Sequence, residues 1–128
     1  MVMRKVMVVD DDKEFLDELK TTLRQGGYRV KIVQEARKAV AAAVESSPDV
    51  ILLDLKMQGM TGFEVANKLR VVPGTRNIPI IAMSGFFTEN RDDPLLGFFN
   101  INYYLQKPIY PLNVIDKIER VCHETGKK

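Results

Sequence analysis

The chain has 128 residues, 45% apolar and 28% charged, which suits one globular domain with a single core. Its net charge of +2 is small and its basic residues are spread out, so nothing argues for a nucleic-acid surface, and no apolar stretch is long enough for a membrane span. The N-terminus has neither an h-region nor a small-residue cleavage site, and the single cysteine, Cys122, has no internal partner; a cytoplasmic location is expected.

Residues 6–9 are a continuous apolar run that predicts a first strand, and Asp10, Asp11 and Asp12 follow it directly. Residues 13–25 predict a helix with Phe15, Leu16, Leu19 and Leu23 on one stripe, stopped by Gly26-Gly27. In residues 28–33, Tyr28, Val30 and Ile32 alternate with Arg29 and Lys31, the period of a strand near a sheet edge. A second helix over 35–46 should bury Ala36, Ala39, Val40, Ala43 and Val44. Residues 50–53 form another apolar strand, of the kind covered on both faces, and end at Asp54.

After a loop at 55–61, a third helix is expected over 62–70 and a fourth strand over 78–83. Asp93-Pro94 has the chemistry of a helix start, but only residues 95–99 remain for the body, so the fourth helix should be short and weak, with Asn100 as a left-handed cap. A fifth strand over 101–105 and a last helix over 111–124 complete the series. That helix should bury Val114, Ile115, Ile118, Val121 and Cys122 and leave His123, the only histidine, exposed.

Strands interleaved with helices predict an α/β fold: one doubly wound, five-stranded parallel sheet in a flavodoxin-like three-layer arrangement. The order 2-1-3-4-5 places the alternating second strand and the short fifth strand at the edges, and brings the ends of strands one and three together at the switch point where such sheets bind ligands. Residues 1–124 are read as one domain and 125–128 as a short tail.

Carboxylates at the ends of buried strands contribute nothing to a core, and brought together they repel by a few kcal/mol per close pair at about surface-like dielectric. A divalent cation among them removes that objection. Asp11 and Asp54 are the direct Mg2+ ligands in this reading, Asp10 assists through water, and a backbone carbonyl just after Asp54, that of Lys56, completes the protein's share. Asp54 is then a carboxylate nucleophile able to form an acyl phosphate. Asp12 is read as the cap of the first helix. Ser84 closes the fourth strand and has a hydroxyl for a phosphoryl oxygen; taken alone, Ser84-Gly85 is an ordinary turn. Lys107, after the fifth strand, has an ammonium for the same anion, and a cis bond to Pro108 would aim it inward.

Over nearly its whole length the chain resembles a response-regulator receiver domain of two-component signalling. The resemblance rests on Val8-Val9-Asp10-Asp11, on Leu53-Asp54 through Gly59-Met60-Thr61-Gly62, on Ser84-Gly85 and on Tyr104-Leu105-Gln106-Lys107-Pro108, in that order and spacing. It implies that Asp54 is the phosphoacceptor, served by a histidine kinase or a histidine phosphotransfer protein, with Mg2+ held by Asp10 and Asp11. It also implies that Ser84 and Lys107 grip the attached phosphoryl group. Tyr104 stands where receivers carry an aromatic that turns inward as the hydroxyl residue moves; without the resemblance it reads as an ordinary edge-strand aromatic. The face of helix four, strand five and helix five would then change and meet a downstream protein target, and a phosphorylation-dependent dimer is a further expectation. The chain would promote only its own phosphorylation and dephosphorylation.

Two departures from the family pattern stand out. Gln58 occupies a position that is often proline, and bulky Phe86 and Phe87 follow Ser84; Phe86 is expected to affect acyl-phosphate lifetime more than its formation. Whether the chain is a stand-alone regulator or part of a longer one stays open. A phosphatase of the haloacid-dehalogenase kind would use an aspartate after the first strand, but it leaves Asp54 without a role. A flavin carrier of this topology would need a hydroxyl- and glycine-rich phosphate loop where the acidic triplet stands.

Overall fold

The computed structural model describes residues 3–85 and 94–125. The elements in order are β1 (Lys5–Val9), α1 (Lys13–Gln25), β2 (Arg29–Val33), α2 (Ala39–Ser46), β3 (Val50–Asp54), α3 (Gly62–Val71), β4 (Ile80–Ser84), α4 (Pro94–Phe98), β5 (Ile101–Gln106) and α5 (Pro111–Glu124). All strand pairs are parallel, and the sheet order is β2-β1-β3-β4-β5, as the sequence predicts.

Successive strand residues point to opposite faces, and this divides the core in two. Val6, Val8, Val50, Leu52, Ile81 and Met83 pack towards α1 and α5. Met7, Val9, Ile51, Leu53 and Ile80 pack towards α2 and α3. Every residue of β3 is buried, and each fully buried aliphatic side chain of this size contributes about 1.5–3 kcal/mol. Cys122 lies in the first core and His123 is exposed, both as expected.

Local chemistry sets the ends of the helices. The Asp12 side chain accepts a hydrogen bond from the Phe15 amide and caps α1. Thr61 and Glu64 form a reciprocal capping box at α3. Gly62 opens α3 against the backbone of β3: a Cβ there would lie 2.3 Å from the Asp54 carbonyl oxygen and 2.7 Å from Leu55 Cα. Only glycine allows α3 to start so close to the phosphoacceptor candidate.

Some expectations need correction. The second helix is not one piece, because residues Ala36–Lys38 form a 3-10 turn before α2. Val44 is 50% exposed instead of buried. The buried stripe runs through Ala36, Ala39 and Ala43, Val40 is half-buried beside it, and Val44 is turned about 100° from Ala43. Ile115 is also only half-buried. The fourth strand begins at Ile80, not Ile78, because the Ile78 amide closes a turn onto the Thr75 carbonyl and Pro79 has no amide hydrogen. The second strand loses Tyr28, whose amide bonds to the Leu23 carbonyl at the end of α1.

The fourth helix is short, as expected: α4 has five residues, contains Gly97 and buries none of them. Asn100 follows in the left-handed region at φ 55°. Arg70, at the end of α3, braces this segment from below. Its guanidinium donates to the carbonyls of Phe99 at 2.8 Å, Asn100 at 3.1 Å, Ile78 at 2.7 Å and Arg76 at 3.0 Å. A bulge opposite Ile80 and Ile81 leaves Asn102 as the extra residue of β5, and its side-chain oxygen accepts from the Ile80 amide. The expected start of α4 at Asp93, the expected role of Phe86 and most of the 125–128 tail lie outside the described residues.

Candidate functional site

β1 and β3 lie side by side with Val9 opposite Leu53, so their next residues emerge together at the carboxyl edge of the sheet. Carboxylate oxygens of Asp10, Asp11 and Asp54 all lie within 4.8 Å of one another. Asp10 and Asp54 are buried, whereas Asp11 is exposed. The donor set is made of hard oxygens, without sulfur or imidazole, and fits Mg2+.

Each carboxylate is held differently. One Asp10 oxygen accepts from the Asp12 amide at 2.9 Å and the other from Lys107 Nζ at 2.7 Å. Asp54 accepts a longer bond, 3.2 Å, from the Lys56 amide, and its other oxygen stands 3.7 Å from Lys107 Nζ. Asp11 accepts from the Gln58 amide at 2.9 Å. Burial pushes the Asp54 carboxyl up to about 6; Asp10 and, more weakly, Asp11 add to the rise, while Lys107 and the Lys56 amide pull against it.

Lys107 leaves β5 through a cis bond to Pro108, and its amide donates to the Ser84 carbonyl at 2.8 Å. The ends of β4 and β5 are thereby joined beside the acidic cluster. Ser84 is buried at the end of β4, and Tyr104 is half-buried on β5. The carboxylates, Ser84 and Lys107 therefore belong to one end of the sheet, with Tyr104 two strands away from Asp54 and three from the strand that delivers Asp10 and Asp11.

Residues 6–119 match the response regulator receiver domain model. The chain belongs to the response regulator receiver domain family. The phosphate regulon transcriptional regulatory protein PhoB of Pseudomonas aeruginosa is 29% identical over 98% of this chain, which spans 55% of that protein's length. The chemotaxis protein CheY4 of Vibrio cholerae superposes with a TM-score of 0.86 at 28% identity, covering 94% of this chain and 99% of CheY4. The receiver domain of the sensor histidine kinase PA1611 from Pseudomonas aeruginosa, solved with magnesium in its active-site cleft, superposes with a TM-score of 0.82 at 26% identity over 93% of this chain and 97% of that one. This receiver is thus a two-component signalling domain with an acidic cluster compatible with magnesium. No described helix is long and apolar enough to cross a membrane.

Sequence reasoning missed three contacts. The Gln58 amide on Asp11 is a backbone group that any residue except proline would supply. The four acceptors of Arg70 are carbonyls, which leave no side-chain pattern to detect. Phe15 was read as part of the core stripe of α1, yet Lys107 Nζ sits 4.3 Å from its ring centroid. Its place four residues after Asp11, one helical turn into α1, was the available signal.

Proposed function

We propose that Asp54 of this receiver accepts a phosphoryl group from a phosphohistidine on a cytoplasmic histidine kinase or histidine phosphotransfer protein. The observation that carries this reading is the convergence of three carboxylates within 4.8 Å, with Lys107 Nζ 3.7 Å from Asp54. An Asp54 carboxylate oxygen attacks phosphorus, the P–N bond to imidazole breaks, and the ring nitrogen keeps the electron pair. The product is an acyl phosphate on Asp54.

Asp11, Asp54 and the Lys56 carbonyl would hold Mg2+, with Asp10 acting through water. Bound there, the ion would neutralise charge on the phosphoryl oxygens. Asp10 keeps Lys107 close by until the anion arrives, and Lys107 then passes to a phosphoryl oxygen. The raised Asp54 value suits a carboxylate whose charge the chain alone does not fully compensate. By promoting these steps on itself, the domain acts as a signalling module and not as an enzyme on a separate substrate.

Output follows from the sheet edge. Ser84 moves towards the new phosphoryl oxygens, Tyr104 takes up the space released, and the α4–β5–α5 face changes. Phe98 at 77%, Leu112 at 83% and Tyr110 at 62% exposure supply apolar surface for a downstream protein, or for a second phosphorylated copy. Five residues of α4 with no buried side chain make a segment that a small free-energy difference can tip.

Incubation with acetyl phosphate and Mg2+, followed by intact-mass measurement, tests the proposal. Wild type should gain one phosphoryl group and Asp54→Asn none. Labelling that persists in Asp54→Asn would refute it. Amide signals of α4 and β5 that stay fixed on adding beryllofluoride would refute the output step alone.

A further inference from the structure

Lys107 meets two carboxylates and an aromatic ring. Its ammonium meets Asp10 at 2.7 Å and faces Asp54 at 3.7 Å on the acidic side. It also lies over the Phe15 ring, 4.3 Å from the centroid. Phe15 is itself fixed: its amide donates to Asp12 at the cap of α1, and its ring is half-buried against the core under α1 and α5.

We propose that Phe15 is a positioning residue for Lys107, its ring face holding the ammonium against the acidic pocket through a cation–π contact. The inference rests on the phosphoacceptor reading of Asp54. An ammonium is compact and strongly hydrated, and a lysine stem is flexible. Left to water, it would give up part of its attraction for an incoming anion. The ring replaces that water on one side and attracts the cation through its quadrupole. A flat π face also tolerates sideways movement, so the ammonium keeps the contact as it passes from Asp10 towards a phosphoryl oxygen on Asp54. Leucine at this position would preserve apolar packing on α1 and lose the attraction. Phe15 and Lys107 together line a cavity of about 180 Å3 between α1 and the segment after β5.

The test uses the full chain with acetyl phosphate and saturating Mg2+, following the initial rate at which Asp54 displaces acetate from phosphorus. Phe15→Leu should slow labelling about fivefold, and Phe15→Tyr should restore it to within about twofold of wild type. Phenylalanines carrying one, two and three ring fluorines at position 15 keep the shape but weaken the quadrupole, so the rate should fall stepwise along the series. The Lys107 ε-methylene protons should show an upfield ring-current shift that Phe15→Leu abolishes. If Phe15→Leu fails to fold, the fluorinated series still decides. A labelled wild type with a flat fluorine series overturns this inference and leaves the phosphoacceptor reading intact. A wild type that takes no label on Asp54 overturns both.

Discussion

β3 and β5 belong to the same sheet and are built to opposite requirements. All five residues of β3 are buried, and the strand is paired on both sides. Only Leu105 is buried in β5, which lies at the edge, carries a bulge and is followed in space by a five-residue helix. Asp54 ends the fully buried strand, where, on the proposed reading, small displacements of a nucleophile would cost rate. The surface proposed for partners, on α4 and α5, adjoins the less buried strand.

The largest expected effect tests this contrast directly. Leu52→Ala should destabilise by about 3–4 kcal/mol, and Ile101→Ala by only about 1–2 kcal/mol, in urea unfolding. Equal losses would mean that the edge is as tightly packed as the centre. Arg70→Met comes next. Losing four carbonyl contacts should cost about 2 kcal/mol and raise amide hydrogen exchange first around Phe98, Phe99 and Asn100. Uniform loss of protection across β3 would contradict a role confined to the edge.

The site places its own load on β3. The folded state holds the Asp54 carboxyl near 6 against an ordinary 3.8, so the native protein binds this proton more tightly than the unfolded chain does. Stability from this group is complete below about pH 4 and is lost as pH rises through about 6. In chelator at pH 7, Asp54→Asn should therefore be more stable than wild type by on the order of 1–2 kcal/mol, and the gap should close near pH 4. Added Mg2+ should narrow the gap at pH 7 by stabilising wild type. A gap independent of pH would assign the effect to packing. The smallest change is expected at the exposed edge: Phe98→Ser should alter unfolding free energy by less than about 0.5 kcal/mol while weakening capture of a downstream partner.

Much of this was legible in the sequence. The unbroken apolar runs at residues 6–9 and 50–53, against the alternation at 28–33, sorted central strands from an edge strand. Their terminal aspartates then located the cluster. The weakness of α4 followed from Gly97 and the few residues between Pro94 and Asn100. Side-chain patterning was silent where backbone atoms decide. It gave no sign of the Arg70 bonds to carbonyls, the Gln58 amide on Asp11 or the Ile78 turn that delays β4. The 3-10 turn before α2 also defeated it, because Ala36, Ala39 and Ala43 fit one helical stripe whichever way residues 36–38 are wound.

The two bonds that occupy Asp10 have a consequence for the life of the molecule. Its buried charge is answered internally, by the Asp12 amide and by Lys107, so the scaffold around it does not depend on a visitor from solution. If Mg2+ binds as proposed, a domain assembled on those terms would release and reload the ion without coming apart, and each cycle would begin from the same resting shape.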